Sequence, residues 1–144
     1  MKKVFASLLA LSLMLVGCGG GKGGEKEETK DDKPVIALVT DQGTISDKSF
    51  NQSAWEAVEK YSKENKLKSK YYKPATFDTA GYTAQIENAV DNGAKVIVCP
   101  GFKFSETIAN IQEKYKDVKF ILIDATPAKG DNAVEPTENV YCAL

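Results

Sequence analysis

The sequence predicts an α/β fold in which helices cover both faces of a parallel sheet. Continuous apolar runs rich in β-branched residues alternate with amphipathic segments of helical spacing. Right-handed crossovers between such strands make the sheet parallel. The chain of 144 residues has room for one domain at most. The predicted order is strand, helix, strand, helix, strand, helix, strand, strand.

Five short segments predict the strands. Residues 34–40, 95–99 and 118–123 are mostly apolar, which is typical of strands buried on both faces. The second strand, 67–74, is rich in lysine and ends in a proline, which places it near an edge of the sheet. A last strand is predicted over 139–143.

Three segments with apolar residues at helical spacing predict helices over 49–65, 80–92 and 105–116. The residues expected at the helix ends are Asp47 and Ser49 as caps of the first, and Asp78 or Thr79 with Gly93 for the second. The apolar face of the first helix comprises Phe50, Ala54, Ala57, Val58 and Tyr61, and both Tyr61 and Trp55 are expected to be packing residues.

The start of the chain has the composition of a secretory signal. Positive residues precede the apolar run 4–16, which is too short to span a bilayer well. The run ends in Leu15-Val16-Gly17-Cys18, which resembles the lipobox of bacterial lipoproteins, where the cysteine after the cut carries a diacylglycerol thioether. We therefore expect a signal peptide over 1–17, lipidation at Cys18 and a location on the extracytoplasmic face of the cell membrane.

Residues 18–33 predict a flexible tether. Glycines are followed by charged residues, and no aromatic or aliphatic side chain occurs after Cys18, so this segment has nothing to bury. Random-coil scaling gives a reach of roughly 20 Å between the anchor and the folded lobe. That lobe is predicted over 34–144.

The charge composition favours a binding protein over an enzyme. Lysine supplies all 19 basic residues against 20 acidic ones, and arginine and histidine are absent. The near-zero balance provides no basic surface for nucleic acid and no general attraction to a membrane surface. Without histidine the chain lacks the usual general base and the commonest metal ligand. We therefore expect no catalytic residue, no metal and no cofactor.

Two cysteines lie inside the predicted lobe. Cys99 and Cys142 occupy apolar strand-like runs, where a free thiol behaves as a small buried hydrophobe. An exported location leaves a disulfide between them as the alternative.

Polar and aromatic residues gather where the predicted strands end. Asp41 and Asp124 each follow an apolar strand directly. Carboxylates accept hydrogen bonds from hydroxyl and ring N–H groups, so these two are candidate ligand contacts. In parallel α/β sheets ligands bind beyond the carboxyl ends of the strands, which here means segments 41–51, 76–78, 100–104 and 124–126.

The segment Asp-Gln-Gly-Thr-Ile-Ser-Asp-Lys-Ser-Phe-Asn-Gln-Ser-Ala-Trp-Glu, residues 41–56, resembles the first strand-to-helix junction of the basic membrane lipoprotein family. These are substrate-binding proteins of ABC transporters and include purine nucleoside receptors. The similarity continues through 101–104, 115–124 and 139–141 and extends over 34–144. Thr44 departs from the family pattern, which often has a second glycine there.

The resemblance implies the N-terminal lobe of a two-lobed, hinge-closing protein with a type I periplasmic-binding-protein-like fold. It implies a purine nucleoside as ligand and an ABC permease in the membrane as partner, with no nucleic acid. Carried over by position, Asp41 accepts bonds from ribose hydroxyls, Phe50 stacks on the base, Asn51 bonds to the sugar and Asp124 binds the base edge, with Gly101 and Phe102 as further candidates. The second lobe is missing from this length, so we expect a truncated chain.

Alternatives remain for both the residues and the function. From the helical pattern alone, Phe50 is a core residue, Asn51 bonds locally in the first helical turn, and Asp124 turns the chain. Either Phe102 or Phe104 walls the pocket, and Phe104 also fits a helix face. The alternative functions are a sensor lipoprotein for a sugar-like or signalling molecule, and an enzyme of nucleoside cleavage that uses Asp41, Asp47 or Asp124 as acid or base.

Overall fold

A computed structural model describes residues 33–144. The predicted signal peptide, the lipidation site Cys18 and the predicted tether up to residue 32 lie outside the described residues. Within 33–144, no helix has both the length and the apolar character needed to cross a membrane.

Five parallel strands form the central sheet: β1 (Ile36–Val39), β2 (Ser69–Tyr72), β3 (Val96–Pro100), β4 (Lys119–Ile123) and β7 (Val140–Ala143). Their order across the sheet is β2-β1-β3-β4-β7. This arrangement confirms the predicted α/β fold. The lysine-rich strand β2 lies at an edge of the sheet, as its composition predicts, and pairs with β1 alone.

The helices are α1 (Phe50–Glu64), α2 (Thr79–Asp91) and α3 (Ser105–Ile111), the last preceded by a 3-10 turn over Phe102–Phe104. They cover both faces of the sheet because alternate residues of the buried strands point to opposite sides. Ile36 and Leu38 of β1 pack with α1, and Ala37 and Val39 belong to the larger core on the other face. That larger core includes residues of α2 and α3 and the fully buried Phe120 of β4.

The face under α1 is only partly covered. A groove of about 500 Å³ runs beside the helix, and Tyr61, which was predicted to pack, is 56% exposed at its rim. Of the predicted apolar face of α1, only Ala54 and Val58 are buried. Residues from α1 and from three strands line the groove: Ile36, Ala54, Ala57, Val58, Tyr61, Val96, Val98, Ile121 and Ile123.

Helix α3 is shorter than its apolar spacing predicts, ending at Ile111 rather than near residue 116. Turns follow it, and the buried side chain of Asn139 holds them. The Nδ2 of Asn139 donates to the carbonyls of Gln112 at 3.3 Å, Tyr115 at 3.0 Å and Val118 at 3.0 Å. The Tyr115 carbonyl also accepts from the backbone N–H of Val118 at 3.0 Å, so the Asn139 bonds matter most for the carbonyls of Gln112 and Val118.

A small antiparallel hairpin after β4 was not predicted. Its strands, β5 (Ala128–Lys129) and β6 (Asn132–Ala133), are each two residues long. Such short strands show no alternation that a sequence pattern can reveal. Gly130 in the turn has φ of 59°, the left-handed conformation that glycine adopts readily.

The two cysteines of the lobe are free thiols, as expected. Cys99 pairs with Leu122 of β4, and Leu122 pairs with Cys142 of β7, so the cysteines are two strands apart. Two strand spacings amount to roughly 10 Å, which exceeds the Cα separation a disulfide can bridge. Cys99 is buried, and its burial raises the pKa of the thiol, whereas Cys142 is only half-buried.

Candidate ligand-binding site

The carboxyl ends of three adjacent strands bring Asp41, Gly101 and Asp124 into one row. Leu38 of β1 pairs with Val98 of β3, so Asp41 and Gly101, three residues further along each strand, face each other. Pro100 pairs with Ile123 of β4, so Gly101 also faces Asp124. The two acidic residues are therefore two strand spacings apart, roughly 10 Å, with a glycine between them.

Asp41 is fixed by hydrogen bonds to one of its two carboxylate oxygens. Its Oδ1 accepts from the backbone N–H of Gly43 at 2.8 Å and from Nδ2 of Asn51 at 2.7 Å. Its Oδ2 accepts no hydrogen bond from a described residue and lies 4.0 Å from where a Cβ on Gly101 would be. One oxygen orients the carboxylate, and the other is left for a ligand donor.

Asn51 lies in the first turn of α1 and is the centre of this arrangement. It is 2% exposed, and its Oδ1 accepts from the backbone N–H of Asp41 at 3.1 Å. Its Nδ2 donates to Asp47 Oδ2 at 2.8 Å as well as to Asp41. Both amide hydrogens are thus used locally. This agrees with the alternative from the sequence, in which Asn51 bonds locally in the first helical turn.

Asp47 caps the start of α1 from three residues before the helix. Its Oδ1 accepts from the backbone N–H of Ser49 at 2.8 Å and of Gln52 at 3.3 Å. The side-chain bond from Asn51, helped by those backbone bonds, lowers the pKa of Asp47. Ser49 occupies the N-cap position, but its side chain makes no capping bond, so Asp47 alone performs the capping predicted for both.

Gly43 lets the loop close around these side chains. A Cβ at this position would lie 2.3 Å from Asn51 Nδ2 and 2.5 Å from Asp47 Oδ2. Both distances are far below contact, so only glycine fits beside the Asn51 amide. The departure from the family pattern at Thr44 leaves this close approach in place, and the Thr44 hydroxyl bonds within the loop to Ser46.

Gly101 has φ of 97°, which non-glycine residues rarely adopt, and it turns the chain from β3 into the 3-10 helix. Of the two aromatic candidates that follow, Phe104 is fully buried and packs on the Tyr82 ring with centroids 4.6 Å apart. Phe102 is 72% exposed, with Lys103 Nζ lying 5.3 Å from its ring centroid. Phe102 is thus the ring available to a ligand, and Phe104 belongs to the core.

Asp124 follows β4 with φ of 54°, a left-handed conformation that Asp tolerates better than most residues. Its backbone N–H donates to the carbonyl of Ala143 at 2.6 Å, which ties it to β7. The side chain is exposed and accepts no hydrogen bond from a described residue. Both candidate carboxylates therefore keep free oxygen atoms at the same edge.

Phe50 is the first residue of α1 and lies at the same end of the sheet. It is 41% exposed and is a member of neither buried apolar cluster. Phe50 is therefore not a core residue, although the helical pattern alone allowed that interpretation. An exposed ring next in sequence to Asn51, which bonds to Asp41, offers a flat apolar surface to a planar ligand.

A second hollow of about 300 Å³ lies beside this row, between the start of α2 and the 3-10 turn. Tyr82 lines it, and its buried hydroxyl has no hydrogen-bond partner among the described residues. Burial raises the pKa of this phenol, and the charges of Asp41 and Asp78 raise it further. The helical pattern gave no reason to single out Tyr82, because one apolar position in a helix resembles any other.

A parallel α/β lobe with free carboxylates and exposed rings at one edge is the architecture of a domain that binds small molecules. The Bmp family, described as "ABC transporter substrate-binding protein PnrA-like", matches residues 33–143, and the chain belongs to this family. Its members are substrate-binding proteins of ABC transporters, as the sequence resemblance predicted.

Individual relatives agree with this assignment. The chain is 29% identical over 151 residues to the ABC transporter nucleoside-binding protein BmpA of Lactococcus lactis, covering 97% of this chain and 42% of that protein. It is 31% identical over 134 residues to an uncharacterized lipoprotein of Pyrococcus abyssi, covering 90% and 32%. The curated relatives are longer throughout, and this chain spans 40% to 42% of the first of them.

Among solved structures, a solute-binding protein of an ABC transporter system from Aeropyrum pernix K1 has the same fold. The TM-score is 0.63 at 24% sequence identity, with 74% of this chain and 27% of that chain covered. The match concerns the lobe alone.

Proposed function

We propose that the chain provides the N-terminal lobe of a lipid-anchored substrate-binding protein that binds purine nucleosides for uptake through an ABC permease. The lobe covers residues 34–144, the anchor is a lipid on Cys18, and the protein acts on the extracytoplasmic face of the membrane. A second lobe, in the length by which the relatives exceed this chain, would close over the ligand.

The row of Asp41, Gly101 and Asp124 is the observation that supports a nucleoside most directly. A nucleoside has hydrogen-bond donors at both ends, the ribose hydroxyls and the N–H groups of the base. Two free carboxylates roughly 10 Å apart suit these two ends. The glycine between them leaves the backbone open to the middle of the ligand. The exposed Phe50 ring at the start of α1 suits the flat base.

Within this proposal Asn51 is a positioning residue. Its Nδ2 holds Asp41 Oδ1 at 2.7 Å and its Oδ1 holds the Asp41 backbone at 3.1 Å. Asp41 is thereby fixed before the ligand arrives, so little side-chain freedom is lost on binding. The direct bond from Asn51 to the sugar that the resemblance implies requires a local rearrangement.

Asp47, one of the three carboxyl groups that the enzyme alternative would use, is better suited to capping than to acid–base chemistry. A general acid needs a raised pKa. The hydrogen bond from Asn51 lowers the pKa of Asp47, and both of its oxygens accept local hydrogen bonds. For this residue the geometry favours a structural role over nucleoside cleavage.

Titration of the full chain with inosine, guanosine and adenosine, followed by NMR chemical shifts, tests the proposal. We expect shifts at Gly101 and Asp124 with a dissociation constant of about millimolar, because one lobe supplies only part of the contacts. Ribose and glucose are the comparison ligands. Binding of the sugars alone would contradict a nucleoside site, and steady release of free hypoxanthine from inosine would show an enzyme.

Matched substitutions locate the site. Phe50→Ala and Asp124→Asn should each weaken nucleoside binding by about 1–2 kcal/mol, roughly 5- to 30-fold. Tyr61→Ala is the control for the first, since Tyr61 is an exposed ring on the same helix, and the exposed Asp131→Asn is the control for the second. Equal affinities in all four variants would place the site elsewhere.

A further inference from the structure

The hydroxyl of Tyr82 is a buried polar group that lacks a hydrogen-bond partner. The side chain is 1% exposed, and its oxygen makes no hydrogen bond with any residue that the structure describes. Buried polar groups in folded proteins are nearly always paired, and a phenylalanine of the same shape would avoid the cost of an unpaired one. The hydroxyl therefore calls for a partner from outside the lobe.

The position of this hydroxyl is fixed by its surroundings. The Tyr82 ring packs on the buried Phe104 ring with centroids 4.6 Å apart, and its backbone N–H donates to the Asp78 carbonyl at 3.0 Å. The preceding loop closes tightly onto the helix, since a Cβ on Gly81 would collide with the carbonyl oxygen of Thr76. A group held in this way loses little freedom when it binds a ligand.

The side chain of Tyr82 extends toward the hollow that lies between the start of α2 and the 3-10 turn. Helical side chains tilt toward the N-terminus of their helix, and Tyr82 lines the hollow at that end of α2. The charges of Asp41 and Asp78 both act on the hydroxyl, so its oxygen lies near the carboxyl ends of the strands. Four other buried side-chain oxygens of the described residues lack a partner, but none belongs to a residue that lines this hollow.

The hollow has the size and the walls to hold part of a small molecule. Its volume of about 300 Å³ is at the lower end of the range for ligand pockets. Phe77 and Phe102 line it, and their rings are 43% and 72% exposed. These apolar faces can cover the carbon-bound hydrogens of a sugar ring while polar lining groups bond to its hydroxyls.

Acidic side chains dominate the charge around the hollow. Asp78 and Glu106 line it, and Lys103 is the one cation among the described lining residues. The Nζ of Lys103 lies 5.3 Å from the ring centroid of Phe102. The hydroxyl of Thr79 donates to Glu106 Oε2 at 3.2 Å, which joins the starts of α2 and α3. This excess of negative charge disfavours an anion and suits a neutral ligand with hydroxyl donors.

We propose that the Tyr82 hydroxyl binds a ribose hydroxyl of the nucleoside and that this hollow holds the sugar. This role rests on the proposed function and adds a recognition residue to it. A ribose hydroxyl can donate to the free Oδ2 of Asp41 while it accepts from Tyr82, so one group satisfies both. The raised pKa of Tyr82 keeps its hydroxyl protonated and thus able to donate.

Removal of the hydroxyl alone tests this role in the full chain. Tyr82→Phe should raise the dissociation constant for inosine at least about fivefold. Its urea midpoint should be unchanged or higher, because the hydroxyl has no partner among the described residues. Tyr72→Phe is the matched control: Tyr72 is a buried tyrosine of the same core but does not line the hollow. It should change the dissociation constant by less than about twofold.

Three inosine analogues, which lack the 2′, the 3′ or the 5′ hydroxyl, separate a direct contact from an indirect effect. For one of them, the loss of affinity relative to inosine should be at least about threefold smaller in Tyr82→Phe than in the wild type, because its partner is already gone. Equal losses in both proteins for all three analogues, or unchanged inosine binding in Tyr82→Phe, would overturn the role of Tyr82 alone. A wild-type chain that binds no inosine would contradict the proposed function itself, and with it this role.

Discussion

At the scale of single residues, one buried amide organises the candidate site. Asn51 bonds to Asp41 and Asp47 with its two amide hydrogens and accepts from the backbone with its oxygen. The Asp41 carboxylate, proposed to face the ligand, and the Asp47 carboxylate, which caps α1, are therefore held by the same side chain. A displacement of Asp41 by a ligand therefore also disturbs Asn51 in the first turn of α1.

The pKa of Asp47 should report on this link. In Asn51→Ala the pKa of Asp47 should rise toward its ordinary value near 4, because the Asn51 bond is the largest cause of its lowering. An NMR titration of the carboxyl carbons measures the change. Asp78 is the internal control, since the backbone N–H of Gly81 chiefly lowers its pKa and the substitution leaves that bond in place.

The lowered pKa of Asp47 also determines the sign of the pH dependence of stability. A carboxyl group whose pKa is lowered on folding stabilises the lobe above its unfolded value near 4, and that stability is lost as the pH falls through the folded pKa. The wild-type lobe should therefore lose more stability than Asn51→Ala below about pH 4. An unchanged Asp47 pKa in the variant would contradict the hydrogen-bond account.

Sequence reasoning placed Asp41 and Asp124 correctly at strand ends, because each follows an apolar run directly and the edge of a parallel sheet is fixed by topology. It could not decide whether Asn51 contacts a ligand or makes local hydrogen bonds. Asn in a first helical turn suits either a ligand or a local bond, and only the loop 41–47, folded back onto the helix, supplies the local partners. Spacing along the chain does not reveal such a fold-back.

At the scale of elements, the end of α3 depends on a residue far along the chain. Asn139, just before β7, donates to three carbonyls that follow the helix. Tyr115 continues the helical spacing, so the sequence predicts a helix that is five residues too long. Asn139 lies more than twenty residues further along the sequence than these carbonyls. A pattern read over neighbouring residues cannot include such a distant partner.

Removing the side chain of Asn139 should destabilise the lobe. Asn139→Ala removes the side-chain donor from the carbonyls of Gln112 and Val118 in a buried setting and should lower the free energy of unfolding by about 2–4 kcal/mol. Asn132→Ala is the matched control, because Asn132 is exposed and its bond to the Lys129 carbonyl is long, at 3.5 Å. It should change stability by less than about 0.5 kcal/mol. Urea unfolding curves for both variants measure this difference in stability. Equal midpoints would refute the structural role of Asn139.

At the scale of the whole molecule, net charge gives little information about surface charge. The overall balance of 19 lysines and 20 acids predicted no general attraction to a membrane. Folding nevertheless brings the acidic side chains of Asp78 and Glu106 to the same hollow, because α2 and α3 begin side by side. The strand and helix order was predictable from alternation, but the incomplete cover of the α1 face depends on how many helices pack there, which no single segment encodes.

The anchor is tested on the whole chain. Cys18→Ser should abolish incorporation of a labelled fatty acid and release the protein into the medium after a wash at roughly 0.5 M salt, which removes charge-based attraction. Cys142→Ser is the control, since that half-buried thiol lies in β7 and should leave lipid incorporation unchanged. Continued fatty-acid labelling of Cys18→Ser would show that Cys18 is not the modified residue.

The strand order also sets the time at which the site is assembled. If the chain is exported from its N-terminus, as we propose, β1 arrives first. Asp41 then gains its side-chain partner when Asn51 crosses, and its neighbour on β3 when Gly101 crosses. Asp124 waits longer, because its backbone bonds to Ala143 of the last strand. Until β7 arrives, the open side of β4 is exposed to other chains, so this interval is the stage at which newly exported molecules are most prone to associate wrongly.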